Sequence, residues 1–204
     1  MKIWSAVMEG TDILKNRSIL SAQLDTEILI SKAINKNREY IILNHDKALN
    51  EENLKYFKKL IQERATKKPI AYILNKKFFW KNEFYVNENT LIPRPDTEII
   101  VEQILKITKN KNNLRILDIG VGSGCILLSI LKEKKNFYGT GIDISKNSLD
   151  ISRINAKKLF VDERVKFFQS DVDKFDQGKY DLVVSNPPYS NHNKIKYLES
   201  DVSK

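Results

Sequence analysis

From Leu114 to Ser185 the chain alternates short apolar runs with longer amphipathic stretches, a pattern that few folds accept. Arg115–Ile119, Tyr138–Ile142, Val165–Phe168 and Leu182–Ser185 read as strands. Helices are predicted between them, starting near Gly124, Ser145 and Asp173, the last with a weak pattern. Strands separated by helices pair in parallel through right-handed crossovers, and such sheets collect ligands at the C-terminal ends of their strands. Residues 94–204 are therefore expected to form an α/β domain.

The chain before this domain follows a different period. In Leu20–Ile34 the apolar positions Leu20, Leu24 and Ile28 recur every fourth residue, with Asp25 and Lys32 off that stripe. A second helix is predicted from Asn50, a capping residue ahead of Glu51 and Glu52, with an inner face of Leu54, Phe57, Leu60 and Ile61. Pro69 is expected to end this helical domain, residues 1–68. Two extended runs follow, Ala71–Phe79 and Glu83–Val86, separated by Trp80-Lys81-Asn82, so residues 69–93 read as a β-hairpin linker. After the stiff Leu91-Ile92-Pro93-Arg94-Pro95, Pro95 opens a helix whose apolar face is Ile100, Val101, Ile104 and Leu105.

Composition narrows the class without choosing a function. The 41% apolar content can fill a core, and the 30% charged content suits a soluble globular chain. Cys125 is the single cysteine, so an internal disulfide is impossible and a reducing, cytoplasmic setting is expected. His45 and His192 have no neighbours at ligand spacing, so no metal site is expected. The opening residues reach Glu9 too soon for a secretory core, and runs such as Cys125–Leu131 fall far short of the roughly 20 residues a membrane span requires. The net charge of +9 suits a nucleic-acid partner, and it equally follows from a sequence rich in Lys, Asn and Ile throughout.

Four motifs carry the chemistry. Leu117-Asp118-Ile119-Gly120-Val121-Gly122-Ser123-Gly124 follows a strand and opens a helix, with glycines that let the backbone approach a ligand closely. Asp143 ends the next strand, where a carboxylate can accept from both ribose hydroxyls of a nucleoside cofactor; capping the next helix is the alternative, though Ser145 can do that equally well. Asp171 can receive an adenine amino group while Val172 packs on the ring, although Asp also ends strands for turn reasons. Ser185-Asn186-Pro187-Pro188-Tyr189 is the sharpest of the four. Two prolines stiffen the backbone, so the Pro187 carbonyl and the Asn186 side-chain oxygen can face one –NH₂ group. An amide or aromatic amine is a poor nucleophile because its lone pair is delocalised; holding both N–H bonds aims that lone pair at an electrophilic methyl. Tyr189 offers a face for the planar group.

At these residues the sequence resembles the peptide-chain release-factor glutamine N5-methyltransferases. The Asn-Pro-Pro-Tyr motif is shared with adenine-N6 and other exocyclic-amine methyltransferases. The stretch Pro69-Ile70-Ala71-Tyr72-Ile73 through Phe78-Phe79-Trp80, then Leu91-Ile92-Pro93-Arg94-Pro95-Asp96-Thr97-Glu98, is similar to the protein-glutamine family in particular. The resemblance covers essentially the whole chain. It implies a Rossmann-like class I methyltransferase sheet that binds S-adenosylmethionine, preceded by a helical domain that docks a release factor. The acceptor it implies is the glutamine of a Gly-Gly-Gln loop, with Asn186, Pro187 and Tyr189 as catalytic residues and Pro188 also at the substrate. Gly120, Val121, Gly122, Ser123, Gly124, Asp143, Asp171, Val172 and Asn186 would line the cofactor pocket, with Arg94 and Glu98 shaping a lid.

Asn75 stands where the family usually has glycine, Val121 where threonine is usual, and Ser190 where an aliphatic residue is common. Family members continue for about another half-domain of a seven-stranded sheet, so this chain is expected to be C-terminally incomplete, with an exposed apolar edge at Leu182–Ser185. Release factors are the implied partners, with no membrane, no required nucleic acid and a monomeric state. Two other functions remain compatible: an adenine or guanine amine methyltransferase acting on nucleic acid, and an inactive release-factor-binding module.

Overall fold

The computed structural model describes residues 1–187. Pro188, Tyr189 and Ser190 lie outside the described residues. The described chain divides between two compact units, one of Met1–Leu74 and one that starts at Asn75.

The first unit is helical: α1 (Ile3–Lys15), α2 (Ala22–Ile34), α3 (Arg38–Leu43), α4 (Glu51–Ala65) and α5 (Ile70–Leu74). Its core joins Ile3, Ala6, Val7 and Leu14 of α1 to Leu29 and Ile30 of α2 and to Phe57, Leu60 and Ile61 of α4. Asn50 caps α4 as expected, its side chain accepting from the Asn53 N–H at 2.7 Å. Gly10 sits where three helices meet; a Cβ there would lie 2.9 Å from both Phe57 Cζ and Thr26 Cγ2.

Two expectations for this region fail. The stripe of α2 is rotated: Leu20 is 82% exposed and precedes the helix, while Ala22, Asp25, Thr26, Leu29, Ile30 and Ala33 face inward. The reason is a buried ion pair. Arg64 Nε donates to Asp25 Oδ2 at 2.7 Å, and the Ser21 hydroxyl donates to the same oxygen at 2.9 Å, so a carboxylate occupies a core position. Residues 70–74 are helical rather than extended. The Pro69 carbonyl accepts from the Tyr72 and Ile73 N–H groups and so starts a helix, whose Ala71 and Ile73 are buried; packing overrides strand propensity. Asn75, at φ 55°, then turns the chain, which suits a position where asparagine replaces glycine.

The second unit opens with a short hairpin of β1 (Lys77–Phe79) and β2 (Asn82–Phe84). A 3₁₀ turn, Pro95–Thr97, leads into α6 (Glu98–Ile107), which buries Val101 and Ile104. Then come β3 (Arg115–Ile119), α7 (Cys125–Glu133), β4 (Tyr138–Asp143), α8 (Lys146–Lys158), β5 (Val165–Gln169) and β6 (Leu182–Ser185). All four strands are parallel, in the order β5-β4-β3-β6. This is an α/β sheet of Rossmann-like type. The helix expected near Asp173 is only the 3₁₀ turn Val172–Lys174. Gly178 at φ 87° breaks the segment, and Phe175 instead packs its ring 5.8 Å from Phe168 and 6.4 Å from Tyr180.

Helix α7 fills the space beside the sheet with Ile126, Leu127, Leu128, Ile130 and Leu131, all buried. The end of α7 and the turn after it are held by Arg164, whose guanidinium donates to Leu131, Lys134 and Phe137 oxygens at 2.7, 3.0 and 2.9 Å. No helix of the described residues is long and apolar enough to cross a membrane.

Candidate active site

Successive strands step outward from β3 to β4 to β5, and the chain then returns to pair β6 on the other side of β3. The strand order thus reverses at β3, and open parallel sheets take their ligands at such a reversal, outside the C-terminal ends of the strands. Ile119 pairs with both Ile142 and Ser185, so the ends of β3, β4 and β6 are level. The Ser185 hydroxyl also donates to the Ile119 carbonyl at 2.9 Å.

The turn after β3 is held by its neighbour strand. Gly120 and Val121 N–H groups both donate to the Ile142 carbonyl, at 2.9 and 3.0 Å. Gly120 adopts φ 72° and Gly122 φ 55°, conformations that exclude most side chains. A Cβ at Gly120 would meet nothing within 4 Å, so the loop's outer surface is open. Gly124 is closed by packing as well as by its φ of 78°: a Cβ would lie 2.7 Å from Leu128 Cδ1.

Asp143, half-buried at the end of β4, accepts the Gly122 N–H on one carboxylate oxygen (3.0 Å) and the Ser145 N–H on the other (2.9 Å). Helix α8 is capped by Ser145, whose hydroxyl oxygen accepts the Ser148 N–H at 3.2 Å. The Asp143 carboxylate thus braces the glycine loop and keeps lone pairs for further donors. After β5, Asp171 accepts the Asp173 N–H at 3.2 Å, and both Asp171 and Val172 are exposed. Asn186 leaves β6 with its amide Nδ2 donating to Thr97 Oγ1 at 3.4 Å, which turns Oδ1 away from Thr97. Glu98 accepts the Trp80 N–H at 2.8 Å, and Arg94 is exposed at the start of the Pro95–Thr97 turn.

Asp118 lies beneath the loop, buried within β3. Burial is the main reason its carboxyl is pushed up to about 7; a backbone hydrogen bond from Leu127 opposes the rise and the Asp143 charge adds to it. The Cys125 thiol is pushed up to about 12, chiefly by burial, and stays protonated at neutral pH. Among the described residues no group of three His, Cys, Asp or Glu side chains could hold a metal ion.

An open glycine cradle with a braced carboxylate one strand away fits a nucleoside cofactor. Comparison with known proteins agrees. Residues 5–74 match the PrmC N-terminal domain, and residues 95–200 match the methyltransferase small domain. The release factor glutamine methyltransferase of Buchnera aphidicola subsp. Acyrthosiphon pisum is 40% identical over 93% of this chain and 68% of that protein. This chain belongs to the release factor glutamine methyltransferase family. The same-named protein of Leptospira interrogans is 38% identical over 92% of this chain and 67% of its own length. A bifunctional methyltransferase of Rickettsia conorii is 37% identical over 90% of this chain and 40% of its own length. The chain therefore spans about two-thirds of the length of the first two relatives and less of the third.

Within this family member the structure gathers Gly120–Gly124, Asp143 and Asn186-Pro187 at one end of the sheet, with Asp171-Val172 farther out beyond β5. Sequence reasoning missed Asp118, Thr97 and a buried polar face of α8. For Asp118 a signal existed: a carboxylate inside an apolar strand that is central in a parallel sheet. Thr97 stood out only as part of the Leu91–Glu98 stretch, with no sign of its own role, because its partner Asn186 lies 89 residues away.

Proposed function

We propose that this chain transfers a methyl group from S-adenosylmethionine to the side-chain amide nitrogen of a glutamine, the one in the Gly-Gly-Gln loop of peptide-chain release factors. Family membership supports the reaction and the substrate class. The observation that carries the mechanism is the orientation of Asn186 at the end of β6, fixed by Thr97. With Nδ2 committed to the threonine hydroxyl, Oδ1 is the free end, and it is an acceptor.

The cofactor, when bound, supplies an electrophilic methyl on a sulfonium. The chain's own task is to make a poor nucleophile attack. Asn186 Oδ1 and the Pro187 carbonyl each take one N–H of the glutamine amide, which fixes the nitrogen and turns its lone pair toward the cofactor side of the site. This is orientation and electrostatic preorganisation, with no strong base required. The positive charge that develops on the nitrogen is stabilised by those two oxygens, and the proton leaves to water after transfer. Gly120–Gly124 and Asp143 hold the nucleoside, the carboxylate using the lone pairs its backbone partners leave free.

The test is transfer of labelled methyl from S-adenosylmethionine to purified release factor, against the same factor with its loop glutamine replaced and against bulk nucleic acid. Label only on the intact glutamine is expected. Label on nucleic acid, or on the glutamine-replaced factor, refutes the substrate assignment.

A further inference from the structure

Helix α8 buries a polar stripe where a helix against a sheet ordinarily buries apolar residues. Ser148, Ser152 and Asn155 follow the spacing i, i+4, i+7 and share one face; Ser152 and Asn155 are both 0% exposed. Each is committed to backbone. Ser148 Oγ donates to the Asn89 carbonyl at 2.9 Å, and Ser152 Oγ to the Gly122 carbonyl at 2.7 Å. Asn155 Nδ2 donates to the Ser123 and Tyr85 carbonyls, both at 2.9 Å, while Oδ1 accepts the Tyr85 N–H at 2.7 Å.

The loop's bonds therefore divide by direction. Its N–H groups at Gly120, Val121 and Gly122 go to β4, through the Ile142 carbonyl and the Asp143 carboxylate. Its carbonyls at Gly122 and Ser123 go to α8. A trans peptide unit points C=O and N–H in opposite directions, so drawing the Gly122 carbonyl toward α8 turns the Ser123 N–H away from it. Glycine-rich backbone would otherwise sample many orientations. A buried amide with both donors and its oxygen engaged holds one orientation, and losing it leaves buried carbonyls without donors.

We propose that Ser152 and Asn155 are positioning residues for cofactor binding, setting the peptide planes of the glycine loop from behind and registering that loop against the Tyr85 backbone. The inference rests on the reading that this loop binds S-adenosylmethionine. Ser148 provides a matched control: it has the same helix, chemistry and near-complete burial, but its bond ends on Asn89 instead of on the loop.

The experiment measures S-adenosylhomocysteine affinity by calorimetry, together with urea unfolding, for the full chain and for Ser152→Ala, Ser148→Ala and Asn155→Asp. Ser152→Ala is expected to weaken binding about ten-fold, and Ser148→Ala less than about two-fold, with similar falls in unfolding midpoint. Asn155→Asp keeps the shape but loses both donors, and is expected to weaken binding more than Ser152→Ala. Equal effects of the two serine substitutions on affinity, or none from either, would show the stripe to be packing alone. If the unsubstituted chain binds no S-adenosylhomocysteine, the cofactor reading fails, and amide exchange still decides the positioning. The Gly122 and Gly124 amides, bonded to Asp143 and Val121, must exchange faster in Ser152→Ala than in Ser148→Ala. Equal rates overturn the proposal.

Discussion

Replacing Asp118 with asparagine is expected to stabilise the folded chain, and to do so more strongly as pH rises. The carboxyl is raised from its ordinary 3.8 to about 7 by burial. A raised acid contributes stability that is fully present below its unfolded value and is lost as pH climbs through its folded value. Between pH 3.8 and about 7 the unfolded chain has released this proton and the folded chain has kept it, so each pH unit in that window favours unfolding. At roughly 1.4 kcal/mol per unit, the loss above pH 7 comes to about 4 kcal/mol, of which about 3 kcal/mol accrues between pH 5 and pH 8. Asparagine never ionises, and it keeps the size and shape of the carboxyl side chain. Urea unfolding followed by circular dichroism, with both proteins at pH 5 and pH 8, isolates the effect of this proton. The stabilisation by Asp118→Asn should be larger at pH 8 by about 3 kcal/mol. An equal difference at the two pH values would refute the reasoning, because it would mean that burial does not hold the proton.

Gly124→Ala combines a left-handed φ with a Cβ pressed against Leu128, so a cost of about 2–4 kcal/mol is expected from thermal unfolding; a loss below about 1 kcal/mol would mean the turn is free to relax. Arg64→Met leaves the Asp25 carboxylate buried without its cation and should cost about 3–5 kcal/mol, most of it recovered in the Asp25→Leu, Arg64→Met double variant. Failure of the double variant to recover would show that the pair does more than satisfy itself. Thr97→Val removes the hydroxyl that fixes the Asn186 amide; kcat for methyl transfer should fall about five-fold with cofactor affinity unchanged, the worth of one hydrogen bond of about 1 kcal/mol. An unchanged kcat would mean that Asn186 is oriented without Thr97.

The sheet was the most legible part of the chain, for a physical reason. Parallel strands covered on a face must be short apolar runs, and the helices between them need caps. Arg115–Ile119 and Leu182–Ser185 accordingly have the bounds read from sequence, and Ser145 caps α8. The glycine loop and Asn186 were placed at strand ends on the same grounds. Failures came where one residue's environment is decided by a distant one. Asp25 reads as a surface carboxylate until Arg64, 39 residues later, covers it, and that pairing rotates the whole inner face of α2. Ser148, Ser152 and Asn155 give no local sign of burial, since nothing nearby in sequence reveals that Gly122, Ser123, Tyr85 and Asn89 carry backbone groups needing partners there. Residues 70–74 carry strand propensity, yet Ala71 and Ile73 find buried positions as a helix.

The strand order also bears on when the site comes into being. Arg115 of β3 finds its β4 partner Tyr138 after 23 residues, whereas Ile116 waits 66 residues for Leu182 of β6. Closing the longer loop costs about 1 kcal/mol more chain entropy, so β3, β4 and β5 can zip together before β6 docks. The glycine loop, braced entirely by β4 and α8, would be in place at that stage. Asn186 hangs from β6, the last of these four strands to arrive. A nascent chain of this kind would acquire its cofactor cradle before the residue that aims the acceptor.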